Sequence, residues 1–320
     1  MKEIQYETSS RILKQKLLDR IRTRIVVKHE WQLYLFILPA VIYFAIFSYA
    51  PMYGIVIAFK RYSISRGIFE SPWVGLLYFE KFIDSPMFWT LMKNTIYLSF
   101  YQLLVFFPFP LVFALMLNQT NGKRIKKFAQ TVTYAPHFIS IVVMVGMLFL
   151  FLSPSSGVVN VILNKLGIES INFMGSDRWF SHLFVYSQVW QHTGYQAIIF
   201  LAALTAIDLS LYEAATIDGA TKLQKIFYID LPSILPTVVT LLLLQVGRML
   251  NVDTQKALLM QTATNMDASE IIGTYVYRIG LVDSQFSYST AINLFQTVIN
   301  LVLLIVVNSI SKKLADESLW

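Results

Sequence analysis

Four uncharged polar residues, Ser289, Asn293, Gln296 and Asn300, recur at i, i+4, i+7 and i+11 inside an otherwise apolar stretch. A helix would align them as one stripe. Their amides and hydroxyls can exchange hydrogen bonds with a neutral polyhydroxylated solute at little net cost. They can equally bond neighbouring helices, where each such bond is worth about 0.6 kcal/mol on average. A second cluster holds Trp190, Gln191 and Tyr195, with Gln191 and Tyr195 four residues apart beside Gly194. That grouping suits stacking on a sugar ring plus hydrogen bonding, although Trp and Tyr also collect at membrane interfaces with no ligand at all. Gln245, Arg248 and Asn251 share helical spacing in a third place. An arginine facing lipid at the bilayer centre costs roughly 2.5–3.5 kcal/mol. Arg248 therefore faces protein or water, with Asp253, a lipid phosphate or an acidic sugar as its open partners. Catalytic chemistry finds no support. Cysteine is absent, and His137, His182 and His192 read as isolated, with no carboxylate at ligand spacing. No Ser/His/Asp arrangement sits at a recognisable elbow.

A different kind of chemistry, mechanical docking, is written between Glu213 and Pro236. The chain runs Glu213-Ala214-Ala215-Thr-Ile-Asp218-Gly219-Ala220, then reaches Leu231-Pro232 and Pro236. Ser210 to Glu213 has the form of a capping box, and Thr221 to Gln224 offers another. Asp218-Gly219 stops the first short helix, glycine taking a left-handed turn without strain. The expected product is helix, corner, helix, with small Ala side chains where a partner can come close. Pro232 and Pro236 are expected to redirect the chain into the apolar run that follows. An amphipathic hairpin with no partner is the alternative.

These groups must be positioned by helices in a membrane. Apolar residues make up 56% of the 320-residue chain and charged residues only 14%, with mean hydropathy +0.56. Six windows lack Asp, Glu, Lys and Arg: 31–59, 94–122, 128–164, 179–207, 231–247 and 284–311. Each can supply the roughly 20 apolar residues of a spanning helix, the fifth with help from a snorkelling Arg248. Alternating segments of a transmembrane barrel are absent. The reading is an all-α integral membrane protein of six spans, near 33–58, 93–117, 131–152, 181–205, 233–251 and 288–310, within a domain of residues 31–311. A polar loop at 208–232 joins spans four and five. Residues 1–30 form a basic segment, either a surface-lying amphipathic helix or a solvated tail, and 312–320 a short tail. The first apolar run is too long for a cleaved signal sequence and follows thirty polar residues. Of 26 Lys and Arg residues, sixteen fall on the side that holds both termini, the 123–127 loop and the 208–232 loop. That side is expected to be the cytoplasm. The net charge of +7 then signals topology and anionic lipid contact, not nucleic acid.

Glu213-Ala214-Ala215 followed by Asp218-Gly219-Ala220, Phe227, Leu231-Pro232 and Pro236 resembles the EAA loop of binding-protein-dependent ABC importer permeases. Leu38-Pro39-Ala40 and the run Tyr49-Ala50-Pro51-Met52-Tyr53-Gly54 to Lys60 are similar to the opening of the oligosaccharide and polysaccharide branch of the maltose-type sugar permeases. Gly280-Leu281-Val282 and Phe286-Ser287-Tyr288-Ser289-Thr290-Ala291 resemble the end of that branch. The likeness covers nearly the whole chain from about residue 31, with Arg61 and Asn293 departing from the branch pattern. It implies the type I importer permease fold and four kinds of partner: a second homologous permease chain, two cytoplasmic ATPase subunits, an extracytoplasmic solute-binding protein and membrane lipid. The helix from Glu213 to Gly219 would seat in a cleft of the ATPase, with Glu213 as its polar anchor. This chain has no Gly-x4-Gly-Lys-Ser/Thr loop. The resemblance places ATP and Mg on the partner ATPase and makes this chain a cofactor-free non-enzyme. A permease for amino acids, peptides or phosphate is the competing reading within the class. An ion-coupled secondary transporter is the competing class, disfavoured by the scarcity of carboxylates in the spans.

Overall fold

The computed structural model describes residues 31–315, so the basic segment 1–30 and its expected amphipathic helix lie outside the described residues. The chain divides into two units, Met1–Val56 and Ile57–Trp320. In the first, α1 (Trp31–Phe44) continues through a π-turn at Ala45–Tyr49 and a short helix at Ala50–Met52. Pro39 lies inside α1 and Pro51 at the start of the short helix. Gln32–Phe59 form a single 28-residue run apolar enough to cross a membrane.

The second unit is helical throughout its described residues apart from one isolated antiparallel bridge, Lys60 to Trp73. After α2 (Leu77–Ile83) come α3 (Phe88–Phe106) and α4 (Pro108–Asn118), which together make a 31-residue span. Pro108 marks the junction, at the first turn of α4, where its missing N–H is least costly. The expected third span, 131–152, is not one helix. The basic run opens α5 (Lys123–Tyr134), a 3-10 turn follows at Ala135–Phe138, and α6 (Ile141–Phe151) leaves at 99°. Pro136 lies in that turn and Ser140 starts α6 afresh, its hydroxyl accepting from Val143 N. A proline and an N-cap within five residues thus break a window that hydropathy alone read as continuous. The charge-free stretch beyond it holds α7 (Val158–Lys165).

α8 (Asp177–Thr205) is the fourth long helix, and α9 (Leu209–Ile217) turns from it by 75°. The next span starts earlier than expected. α10 (Lys222–Lys225), a π-turn at Ile226–Asp230 and α11 (Leu231–Val246) form one 25-residue run. Pro232 occupies the first turn of α11 and Pro236 lies inside it, so neither ends the helix. The π-turn just before Pro232 absorbs the hydrogen bonds that the proline cannot make. α12 (Thr254–Met260), α13 (Met266–Ser269) and α14 (Ile272–Tyr277) follow as a cap of short helices, and α15 (Phe286–Ala315) comes last among the described residues. By length and composition, four helical runs among the described residues can cross a membrane, or six if each bent pair is one span.

Three apolar clusters hold this unit. One joins α3, α6 and α8 to the cap of short helices through residues such as Leu98, Met144, Phe184 and Met260. Another joins α4, α8 and α11 through Ala114, Leu117, Phe200, Leu204 and Ile234. The third packs Phe82 and Leu91 on Ile272, Tyr288 and Ile292. Polar contacts pin the cap as well. Lys256 is buried, donates to the Phe184 carbonyl at 2.7 Å and sits over the Phe184 ring. Burial pushes its amine down to about 7. The two ends that carried the branch resemblance also meet. The Ser287 hydroxyl donates to the Lys60 carbonyl at 2.7 Å and accepts from Tyr62 N at 2.9 Å.

Candidate coupling loop and transport cleft

The cap of α9 is not the expected one. Asp208 accepts from Ser210 N at 2.9 Å, which makes Asp208 the N-cap and moves Ser210 into the first turn. Bonds from the Ser210 backbone and hydroxyl hold the Asp208 carboxyl below the usual carboxylate range. Glu213 is thereby released from capping; it is exposed and makes no hydrogen bond or ion pair among the described residues. The corner is as read. Gly219 has φ +76°, Ala220 N donates to the Ala215 carbonyl at 2.8 Å, and Gly219 N donates to Thr216 at 3.1 Å. Those two bonds are the Schellman pair that satisfies the carbonyls of a helix end. Thr221 and Gln224 form the expected capping box, with bonds of 2.7 and 3.3 Å. Lys225 Nζ reaches back to Thr216 Oγ1 at 2.8 Å and braces the two short helices. Ala214 is exposed, while Ala215, Asp218, Gly219 and Ala220 edge a hollow of about 280 Å³. Leu231 packs into the α4–α8–α11 cluster and Pro232 is exposed beside it.

Beneath the corner lies a residue that the sequence reading missed. Asp230 is fully buried, with 0% exposure. Its carboxylate accepts from Gln119 Nε2 at 2.7 Å, from Asn118 Nδ2 at 3.3 Å and from the Tyr212 hydroxyl. One carboxylate thus ties the end of α4, the middle of α9 and the start of α11. The available signal was an acid immediately before Leu231-Pro232, at the edge of a charge-free window.

At the other end of the same 25-residue run, α3, α8 and α11 enclose a cleft of about 430 Å³. Gln245 and Arg248 line it as expected, joined by Ser99, Gln102, Gln196 and Asn251. Arg248 is exposed and has no ion-pair partner among the described residues. Asp253 does not pair with it but caps α12 through Lys256 N at 3.0 Å.

The other expected path residues divide. Gln296 and Asn300 are buried. Gln296 Nε2 donates to the Leu250 carbonyl at 2.5 Å, and Asn300 exchanges bonds with Leu250 N and Asn251 Oδ1 at 3.1 Å each. They hold Asn251, which lines the cleft, and its neighbour Leu250 instead of lining it themselves. Ser289 bonds back to Phe286 within its own helix, and Asn293, though on the same stripe, is exposed. Gln191 is buried and donates to the Ile139 carbonyl at 2.7 Å. Tyr195 stacks on His137 at 3.8 Å, and His137 Nδ1 lies 3.0 Å from His192 Nδ1. These histidines, isolated in sequence, are neighbours in space. Together with Gln191 and Tyr195 they fasten α8 to the break between α5 and α6. A Cβ on Gly194 would lie 2.3 Å from the Thr133 carbonyl, which shows how closely those backbones approach. Trp190 is exposed; none of Trp190, Gln191 and Tyr195 lines the cleft.

Residues 107–316 match the family model described as binding-protein-dependent transport system inner membrane component. The chain belongs to that family. Relatives of this permease reach across nearly its whole length. It is 42% identical to the polygalacturonan/rhamnogalacturonan transport system permease protein YteP of Bacillus subtilis, over 93% of this chain and 94% of the relative. It is 40% identical to protein LplB of the same organism, over 92% of each. A chain from the crystal structure of a bacterial alginate ABC transporter, in complex with a periplasmic protein carrying alginate pentasaccharide, superposes with TM-score 0.84 at 37% identity. The superposition covers 92% of this chain and 98% of that one. The type I importer permease fold expected from the EAA loop is therefore the fold observed, and this is a multi-pass membrane permease of the ABC importer class.

Proposed function

We propose that this permease is one of two unlike chains that form the path of an ATP-driven importer for oligosaccharides delivered by an extracytoplasmic binding protein. The observation that carries the reading is that one continuous helical run, Lys222–Val246, begins in the rigid corner and leads directly to Arg248 at the cleft. At 1.5 Å per residue that run is about 37 Å long, enough to connect the two sides of a bilayer. The exposed Glu213 and the small Ala214 give an ATPase a charged anchor and a close approach. The corner at Gly219 and the brace from Lys225 keep α9 rigid, as a lever requires. ATP and Mg belong to those ATPase subunits, two of which serve the paired permease chains. The cleft cannot face lipid, because Arg248 and its amide neighbours would be left without partners there. It faces the second permease chain and a wet path between the two. Amides, a hydroxyl and apolar walls suit a sugar, and the named relatives of known cargo transport polysaccharides.

The test is co-purification in mild detergent from the native host, with partners identified by mass. An ATPase and a second six-span chain should accompany the wild-type protein. Glu213→Arg should lose the ATPase and keep the second permease chain. A protein that purifies alone, or an ATPase still retained by Glu213→Arg, would overturn the coupling role assigned to the loop.

A further inference from the structure

Resting on the importer reading above, we infer that the cleft between α3, α8 and α11 is a subsite for a negatively charged sugar, with Arg248 reading the carboxylate of a uronate residue. Three observations meet there. Arg248 is the one charged residue among those lining the cleft, and no carboxylate lines it. The nearest acid in sequence, Asp253, spends its side chain on the cap of α12. Ser99 is 3% exposed, lines the same cleft, and its hydroxyl has no hydrogen-bond partner.

A buried hydroxyl without a partner is costly unless something arrives to satisfy it, and the exposed Arg248 guanidinium, with no counter-charge among the described residues, is free to receive one. A neutral sugar could satisfy the hydroxyl but would make no use of the charge on the guanidinium. A carboxylate fits the planar fork of arginine with two parallel hydrogen bonds. The surrounding groups answer the rest of a sugar ring. Gln102, Gln196 and Gln245 offer amides to ring hydroxyls, and Asn251 is held in place from behind by Gln296 and Asn300. With Asn251 Oδ1 occupied by those two donors, its amide nitrogen is the atom left for the cleft. A volume of about 430 Å³ falls within the usual range for small-molecule sites.

The experiment uses the complete importer in proteoliposomes with its binding protein. Tetramers of galacturonate and of alginate are compared with the same tetramers after their carboxyls are reduced to alcohols. The acidic tetramers should show ATP-driven uptake at least about tenfold above their reduced forms. That comparison needs no variant and stands even where a substituted chain fails to assemble. Arg248→Gln should lower acidic uptake by about tenfold and narrow the gap between the two cargos, with Arg248→Lys intermediate. Co-purification with the partner chains checks that each variant assembles. Equal uptake of acidic and reduced tetramers would overturn the inference, and so would an equal loss of both on Arg248→Gln, which would give Arg248 to the second permease chain. Import of neutral oligosaccharides alone would remove the uronate subsite while leaving an oligosaccharide importer. Import of a non-sugar solute alone would remove both.

Discussion

Gly219 bears on function through its backbone alone. A Cβ at this position would meet nothing within 4 Å, yet φ is +76°. A non-glycine residue in that conformation costs roughly 1–2 kcal/mol, with no clash to add. Gly219→Ala should therefore keep the corner and lower uptake only modestly. Proline differs in kind, since its ring fixes φ near −65° and removes the N–H that bonds Thr216. Gly219→Pro should abolish uptake while the chain still inserts and reaches normal abundance. The check is ATP-driven uptake beside membrane content measured by immunoblot. Uptake by the proline variant at the level of the alanine one would show that the corner is not part of the lever. The neighbouring Glu213 illustrates the limit of local pattern. Ser-x-x-Glu reads as a cap, but Asp208 lies two residues before Ser210 and takes the role, which leaves Glu213 for a partner.

At the scale of elements, motion of α9 has to reach the spans, and the contact that can carry it is Asp230. Its three donors come from α4 and α9, and the carboxylate itself opens α11. Asp230→Ala would leave two amides and a phenol facing a void, at about 1–3 kcal/mol for a stranded group. The expected result is uncoupling: ATP hydrolysis continues while uptake falls, and the ATP spent per sugar rises about fivefold or more. Tyr212→Phe, which removes one donor, should shift the ratio the same way by less. A ratio that does not move in either variant would reduce Asp230 to a packing residue. Such a joint is hard to see in sequence, because Asn118 lies 112 residues from Asp230. The spans were legible where the signal is local: charge-free windows found the long runs. They failed at 131–152, where Ala135-Pro136 and Ser140 outweighed hydropathy. The stripe of Gln296 and Asn300 was legible as a face of α15, but periodicity does not say what a face meets. Here it meets Leu250 and Asn251, so the amides support the cleft from behind. Ser99 and Gln102 on α3 and Gln196 on α8, which do line it, come from helices far apart in sequence, and no spacing rule gathers them across that gap.

For the whole molecule, the working cycle demands a particular orientation. In the proposed cycle the α9 corner meets an ATPase in the cytoplasm, and the cap of α12, α13 and α14 meets a loaded binding protein on the other side. The same orientation is the one expected from the distribution of basic residues, with the 123–127 loop on the side of the corner. Because the chain contains no cysteine, single-cysteine variants can read topology without a background to remove. Ser210, on the coupling loop, and Glu169, between α7 and α8, are both exposed. A membrane-impermeant maleimide should label Glu169→Cys in intact cells and reach Ser210→Cys only in opened or inverted membranes. The reverse pattern would put the α9 corner outside, out of reach of any ATPase, and the lever reading would fall with it. Labelling of both from one side would mean that α8, the helix between the two sites, does not cross as assigned. The expected pattern fixes an odd number of crossings between the loop after α7 and the coupling loop. It also sets the direction in which a pull on Asp230 is felt at Arg248, from the cytoplasmic end of one helix to the end that meets the sugar.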